Sequence, residues 1–396
     1  MSLNETPSSE RVHISFFGCT NSGKSSLINA VTGQNLSIVS DVSGTTTDPV
    51  KKAMELLPIG PIVVADTPGL DDESELGAQR IDKAYEVMRK CDVAVVVIDA
   101  ASGLREFDRK LIETLAERNI PYIIAWNKAD IAKKGNLGEN EIAVSARENK
   151  NINELKQLIA AKAAERNKNN TRIVGEFISA GDVVVLVVPI DAAAPKGRLI
   201  LPQQQTLRDI LDSHASAVVV QTEELGAVLE SLGGKVRLVV TDSQAFSEVR
   251  KIVPEDIMLT SFSILFARYK GNLRQSVEGA DKLDSLEEGA RVLISEGCTH
   301  HRQCGDIGTQ KLPAWIEKYT GKKLCFAWTS GNEFKNKLED YSLIIHCGGC
   351  MLNEAEMKYR LKHARDLGVA MTNYGIAISK MNGILKRSLE IFGENY

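Results

Sequence analysis

One short stretch constrains this chain more than any other. Val12 to Phe17 is a mostly apolar run that reads as a buried strand, and it passes directly into Gly18-Cys-Thr-Asn21-Ser22-Gly23-Lys24-Ser25-Ser26. Leu27, Ile28, Ala30 and Val31 then begin a helix. The spacing Gly18, Gly23, Lys24, Ser25 is that of a P-loop, and strand–loop–helix is the context in which that pattern carries meaning. The glycines let the backbone wrap around phosphate with its N–H groups inward, and the helix N-terminus adds partial positive charge. In this reading Gly18, Asn21, Ser22, Gly23, Lys24, Ser25 and Ser26 hold the phosphates. Lys24 reaches the β- and γ-phosphates, and the Ser25 hydroxyl holds magnesium. The competing reading is an ordinary glycine-rich turn.

The rest of the chain bounds the answer. Its 396 residues suggest two or three domains. A net charge of −4 gives no basic field, so no nucleic-acid partner is expected. No apolar run approaches the roughly 20 residues of a membrane span. Met1 to Glu10 is polar and lacks the apolar centre of a signal peptide. Seven cysteines without such a signal point to reduced thiols and a cytoplasmic location. Cys19 and Cys91 are isolated, whereas Cys298, Cys304, Cys325, Cys347 and Cys350 gather near the end.

Further motifs follow the P-loop in order. Ser43-Gly-Thr45-Thr46-Thr47-Asp48-Pro49 is a poor helix and a plausible switch loop. Thr45 and Thr46 join the nucleotide site here, with Thr46 completing the magnesium shell. Pro61 to Ala65 leads into Asp66-Thr-Pro-Gly69, a carboxylate at a strand end before a flexible glycine. That suits a group that senses the γ-phosphate and holds the metal through water. Cys91 to Asp99 is another buried strand. Ile120 to Trp126 is the next, and it ends in Asn127-Lys128-Ala-Asp130. The Asp130 carboxylate can accept from both N1–H and the exocyclic amine of guanine, a donor pair that adenine lacks. Glu141 to Val144 delivers Ser145-Ala146-Arg147, whose backbone would finish the base pocket. Lys24, Asn21, Thr46 and Asp66 form the expected catalytic set.

These five motifs, in this order and mostly after strands, resemble a translation-factor-class GTPase. Gly44-Thr45-Thr46-Thr47-Asp48 resembles the group that includes the tRNA-modifying GTPase TrmE and the ribosome-assembly GTPase Era. The resemblance implies GTP hydrolysed to GDP with Mg2+. Leu70 stands where Ras-like enzymes place a water-orienting glutamine, so slow intrinsic turnover is expected. Asn21 stands where potassium-activated relatives carry a potassium-binding asparagine, and K+ there would neutralise developing charge. Simple loop hydrogen bonding is the alternative for Asn21. The acidic run Asp71 to Glu75 either positions water or is a solvated switch segment.

Past a polar linker ending near Thr171, strands at 182–190, 217–220, 236–240 and 257–261 alternate with helical patterns, which gives a small parallel α/β unit. It carries no phosphate loop or metal cluster and suits a dimerisation role. The last part repeats the alternation. Arg291 to Gly297 delivers Cys298-Thr-His300-His301, then Cys304-Gly-Asp306. Ser342 to Ile345 delivers His346-Cys347-Gly-Gly-Cys350. Two strand ends thus carry sulfur and imidazole into loops. Zinc and iron–sulfur clusters both accept such ligands, and a thioredoxin-like pair is a third reading. Cys298 and the histidines favour a metal. Cys325 lies in an apolar strand, where packing is expected.

Cys298-x-His300, then residues 301–345, then His346-Cys347-x-x-Cys350 resembles the signature of the [FeFe]-hydrogenase maturation GTPases, the HydF family, over essentially the whole chain. The resemblance implies α/β architecture throughout: a P-loop GTPase domain at 1–172, a dimerisation domain at 173–265 and a cluster-binding domain at 266–396, the latter two smaller and with largely parallel sheets. It implies a [4Fe–4S] cluster on Cys298, Cys347 and Cys350, and a scaffold that transiently carries the diiron subcluster precursor. It also implies a homodimer whose partners are the radical-SAM maturases HydE and HydG and apo-[FeFe]-hydrogenase. His346, His300, His301 and Asp306 are candidates for the fourth ligand, with Cys304 outside the signature. The other functional readings are a TrmE- or Era-like GTPase acting on RNA and a zinc-binding GTPase metallochaperone.

Overall fold

The computed structural model describes residues 6–34, 50–69, 83–132, 134–166, 171–190, 199–297, 307–331, 334 and 337–393. The chain divides into two compact units, Met1–Asn170 and Thr171–Tyr396.

The first unit is built on a six-stranded sheet in the order β2-β3-β1-β4-β5-β6. Its strands are β1 (Val12–Phe17), β2 (Val50–Leu56), β3 (Gly60–Asp66), β4 (Val93–Asp99), β5 (Tyr122–Asn127) and β6 (Glu141–Ala143). β2 runs antiparallel to β3, and every other pairing is parallel. Alternate residues of β4 explain why its run is apolar throughout. Val93, Val95 and Val97 pack on one face with Leu27, Ile28 and Leu155. Ala94, Val96 and Ile98 pack on the other with Met88, Leu111 and Leu115. A strand covered by helices on both faces has no polar side to show.

The second unit contains two four-stranded parallel sheets. One has the order β10-β9-β7-β8 and the other β12-β11-β13-β14. The first comprises β7 (Val183–Val187), β8 (Ser216–Val220), β9 (Val236–Thr241) and β10 (Met258–Ser261). The second comprises β11 (Arg291–Glu296), β12 (Cys325–Ser330), β13 (Leu343–His346) and β14 (Ala370–Asn373). α/β architecture with largely parallel sheets therefore holds throughout the described chain.

Two features depart from the sequence pattern. Cys325, expected to pack, is exposed, because β12 is an edge strand and its first residue faces outward. The C-terminal segment also turns back on the unit's first sheet. Ile384 and Leu389 enter a core with Val185, Val239 and Phe246, and Ile391 enters another with Leu186 and Leu238. Thr260 on β10 donates to the Ser388 carbonyl at 2.9 Å, and Arg387 donates to the Val253 carbonyl at 3.0 Å.

Candidate functional site

In the first unit, the ends of parallel strands place the motif residues together. β1 ends at Phe17, and the loop turns through Gly18 and Asn21 into the helix Lys24–Thr32. Asn21 has φ 62° and Gly23 φ 86°, the left-handed region. A Cβ at Gly23 would lie 2.3 Å from the Asn127 side-chain nitrogen, and one at Gly18 would lie 2.3 Å from the Val97 carbonyl oxygen. Both glycines are thus fixed by close approach as well as by backbone angle. The loop is closed by Lys24, which is 7% exposed and donates to the carbonyls of Gly18 at 2.9 Å and Cys19 at 2.8 Å. Its ammonium lies in the loop's concavity, where an anion would compete for it.

Ser25 donates to Asp66 Oδ2 at 2.7 Å. The other Asp66 oxygen, Oδ1, is buried without a hydrogen-bond partner. Burial pushes the Asp66 carboxyl up, against the Ser25 hydrogen bond and the Lys24 charge. A hydroxyl and a half-buried carboxylate with an unused oxygen form a hard donor set that fits Mg2+. Thr67 donates to the Phe16 carbonyl at 2.7 Å, fixing the Asp66–Gly69 turn against β1. Thr45, Thr46, Leu70 and the 71–75 run lie outside the described residues.

The base side is equally organised. Asn127 donates to the Ser22 carbonyl at 3.1 Å and accepts from the Ala146 N–H at 3.2 Å, so one side chain ties the P-loop to the Ser145-Ala146 loop. Ser145, fully buried, donates to Asp130 Oδ1 at 2.7 Å. That hydrogen bond holds the Asp130 carboxyl below its ordinary range. Asp130 is therefore an acceptor at neutral pH, as pairing with two guanine donors requires. Sequence reasoning missed Asp99: Lys128 pairs with its Oδ2 at 2.7 Å and donates to the Asn21 carbonyl at 2.9 Å. The available signal was a carboxylate closing the apolar run of β4.

In the second unit, β11 and β13 are parallel neighbours, so the chain leaves both at the same edge. Cys347 Sγ accepts from the Gly297 N–H at 3.1 Å and from the Gly349 N–H at 3.4 Å. Two backbone donors on one sulfur suit a thiolate. Gly297 is the residue bonded to Cys298, which with His300, His301, Cys304 and Asp306 lies outside the described residues. Burial pushes the Cys350 thiol up, with the Lys270 charge drawing it back. Among the described residues, no group of three His, Cys, Asp or Glu side chains is arranged to hold a metal.

His346 is fully buried, and both of its ring nitrogens are engaged. One meets the Cys347 carbonyl at 2.7 Å, and the other meets an Arg360 nitrogen at 2.9 Å. An arginine only donates, so Nε2 holds a lone pair and Nδ1 carries the proton given to Cys347. Burial, with the Arg360 charge, lowers its pKa to about 3. Arg360 also donates to Glu356 at 2.8 Å and to the Gly331 carbonyl at 3.0 Å. In this arrangement His346 braces the Cys347–Cys350 turn through its hydrogen bond to the Cys347 carbonyl.

Three family models match the chain. Residues 13–128 match the family model for a 50S ribosome-binding GTPase. Residues 173–271 match the hydrogen maturase F dimerization domain, and residues 274–391 match the hydrogen maturase F tetramerization domain. GTPase Der of Mycoplasmopsis agalactiae is 38% identical over 132 residues, which are 32% of this chain and 30% of that one. The tRNA modification GTPase MnmE of Dechloromonas aromatica is 31% identical over 152 residues, 37% of this chain and 34% of that one. The chain thus spans about a third of the length of these relatives. The crystal structure of Aquifex aeolicus Era bound to GDP and aluminium fluoride is 21% identical, covers 61% of this chain and 97% of its own, and has a TM-score of 0.34. No helix among the described residues is long and apolar enough to cross a membrane. With a GTPase domain followed by both hydrogen maturase F domains, the chain belongs to the hydrogen maturase F family, the hydrogenase maturases that carry a GTPase domain.

Proposed function

We propose that the chain hydrolyses GTP in its first unit and holds a [4Fe–4S] cluster on Cys298, Cys347 and Cys350 in its second. It would serve as a scaffold that carries the diiron subcluster precursor to apo-[FeFe]-hydrogenase, with HydE and HydG as its suppliers and a homodimer as its working form. The observation that carries the cluster reading is the Gly297 N–H on Cys347 Sγ at 3.1 Å. It sets the residue bonded to Cys298 against the first sulfur of the Cys347–Cys350 turn, so little chain is needed for three thiolates to converge. His346, which would have to release Arg360, is a candidate for the fourth ligand together with His300, His301 and Asp306.

For GTP, Lys24 and the loop N–H groups bind the phosphates. Ser25 and Asp66, with Thr46, hold Mg2+, which when bound neutralises phosphate charge. Asp130 reads guanine. Asn21, whose backbone is in the left-handed region and whose carbonyl accepts from Lys128, would hold K+ beside the phosphates.

The reading is tested on protein reconstituted anaerobically with iron and sulfide. Iron and sulfide in near-equal amounts, a reduced-cluster paramagnetic signal, and faster GTP hydrolysis in potassium than in sodium at equal ionic strength are expected. A preparation that takes up zinc but no iron–sulfur cluster would sink the scaffold role, and equal rates in the two salts would remove the potassium site.

Guanine selection has its own test. Asp130→Asn should weaken GTP binding at least tenfold, because an amide nitrogen then faces a guanine donor, about 1.4 kcal/mol or more. Xanthosine triphosphate, which offers a carbonyl at that position, should bind the variant better than GTP does. Unchanged GTP affinity would remove Asp130 from the base pocket.

A further inference from the structure

The function proposed above assigns no role to Lys270. Lys270 ends the helix Phe262–Lys270, which follows β10, and it is only 4% exposed. Its ammonium donates to the Cys350 carbonyl at 3.0 Å and to the Leu352 carbonyl at 3.0 Å. Its Nζ lies 5.8 Å from the centre of the Phe266 ring. Lys270 also lines a small cavity together with His346, Cys347, Gly348 and Thr372. Thr372 Oγ1 is buried there without a hydrogen-bond partner. The ammonium therefore lies against the turn that carries two of the three proposed thiolates, reached from a helix of the neighbouring sheet.

Charge explains why a lysine belongs there. A buried ammonium loses its hydration, and carbonyl dipoles restore only part of what water gave. Arg360, also buried, pairs with Glu356 at 2.8 Å, whereas the Lys270 ammonium donates to the carbonyl of Cys350 itself. An iron–sulfur cluster held by three thiolates is anionic when oxidised and more anionic after taking up an electron. Cationic surroundings favour the reduced form, and charge and hydrogen bonding are among the levers that set such potentials.

Building on the cluster reading above, we propose that Lys270 is a positioning residue for the iron–sulfur centre: it braces the Cys347–Cys350 turn through the Cys350 carbonyl, and its charge raises the reduction potential of the cluster. The redox step is a one-electron reduction of the cluster, with dithionite as the electron donor in the assay.

The test uses the full chain, reconstituted with iron and sulfide, as parent, Lys270→Arg, Lys270→Gln and Lys270→Met. Potentials are read by redox titration followed by electron paramagnetic resonance, and cluster retention by the rate of iron loss to a chelator. Circular dichroism of the apo forms checks folding. Lys270→Gln keeps a donor for the carbonyl but loses the charge, so its cluster should titrate at a more negative potential while iron loss stays near the parental rate. Lys270→Met should show the same shift and lose iron several-fold faster. Lys270→Arg should keep the parental potential. A parent that titrates normally alongside folded Gln and Met variants of identical potential overturns the role of Lys270 alone. A parent that forms no cluster overturns the cluster reading and the Lys270 role with it.

Discussion

Lys24→Ala lowers GTP turnover by about 10²- to 10³-fold, the cost typical of removing one preorganised donor from a site of developing charge. The structure gives two reasons to expect the upper end. The ammonium is the only charge that Lys24 can bring to the β- and γ-phosphates. It also holds the loop in shape, through the Gly18 and Cys19 carbonyls at 2.9 and 2.8 Å. Alanine removes both. Iron uptake by the second unit should stay at the parental level, because that unit has its own hydrophobic cores. The measurement pairs phosphate release with iron content on the same preparation. Turnover within a few-fold of the parent would rule out the phosphate role of Lys24.

Cys347→Ser should cost most of the bound iron and abolish hydrogenase activation. Thiolate is a far better ligand for iron–sulfur clusters than alkoxide, and serine is not ionised at neutral pH. Of the two described positions, Cys347 should be more sensitive than Cys350, because its sulfur already accepts from Gly297 and Gly349. Those donors lower the charge density of a bound thiolate and fix its direction. Cys298→Ser and Cys350→Ser should also lose iron. Cys325→Ser is the control: that thiol is exposed on an edge strand and should leave iron content unchanged. GTP hydrolysis should survive all four substitutions. Parental iron in Cys347→Ser would refute the proposed ligand set.

What the sequence made legible shares one property: the informative residues are contiguous with an apolar strand. The P-loop after Phe17, Asp66 after Ala65 and Asn127 after Trp126 are read directly, because a parallel strand covered on both faces announces itself and its end is where side chains emerge. β2 escaped notice because Val50–Leu56 is an edge strand, largely exposed, with lysines at 51 and 52 and no apolar period. Glu356 and Arg360 escaped for another reason. Four residues apart on a helix, they read as a solvated surface pair, yet Arg360 is fully buried and Glu356 is 1% exposed. Only the placement of His346 and Gly331 in three dimensions makes that site polar. Lys270 looks equally ordinary in sequence, as a basic residue in the last turn of a helix. Both cations become informative only when a loop from a distant strand folds over them.

The return of residues 384–391 to the first sheet of the second unit bears on how this molecule can be taken apart. A cut between residues 271 and 274, where the two family matches abut, looks like a seam between interchangeable modules. It is not one in three dimensions. Excising residues 171–272 would strip Leu389 and Ile391 from beneath Val185 and Leu238 and open grooves in two cores. Leu389 and Ile391 are 4% and 7% exposed in the intact chain, and each such side chain contributes about 1.5–3 kcal/mol when fully buried. A chimera that grafts the dimerisation segment of one relative onto another must therefore carry the donor's last helix with it. In the language of recombination, the two halves of this unit are inherited together.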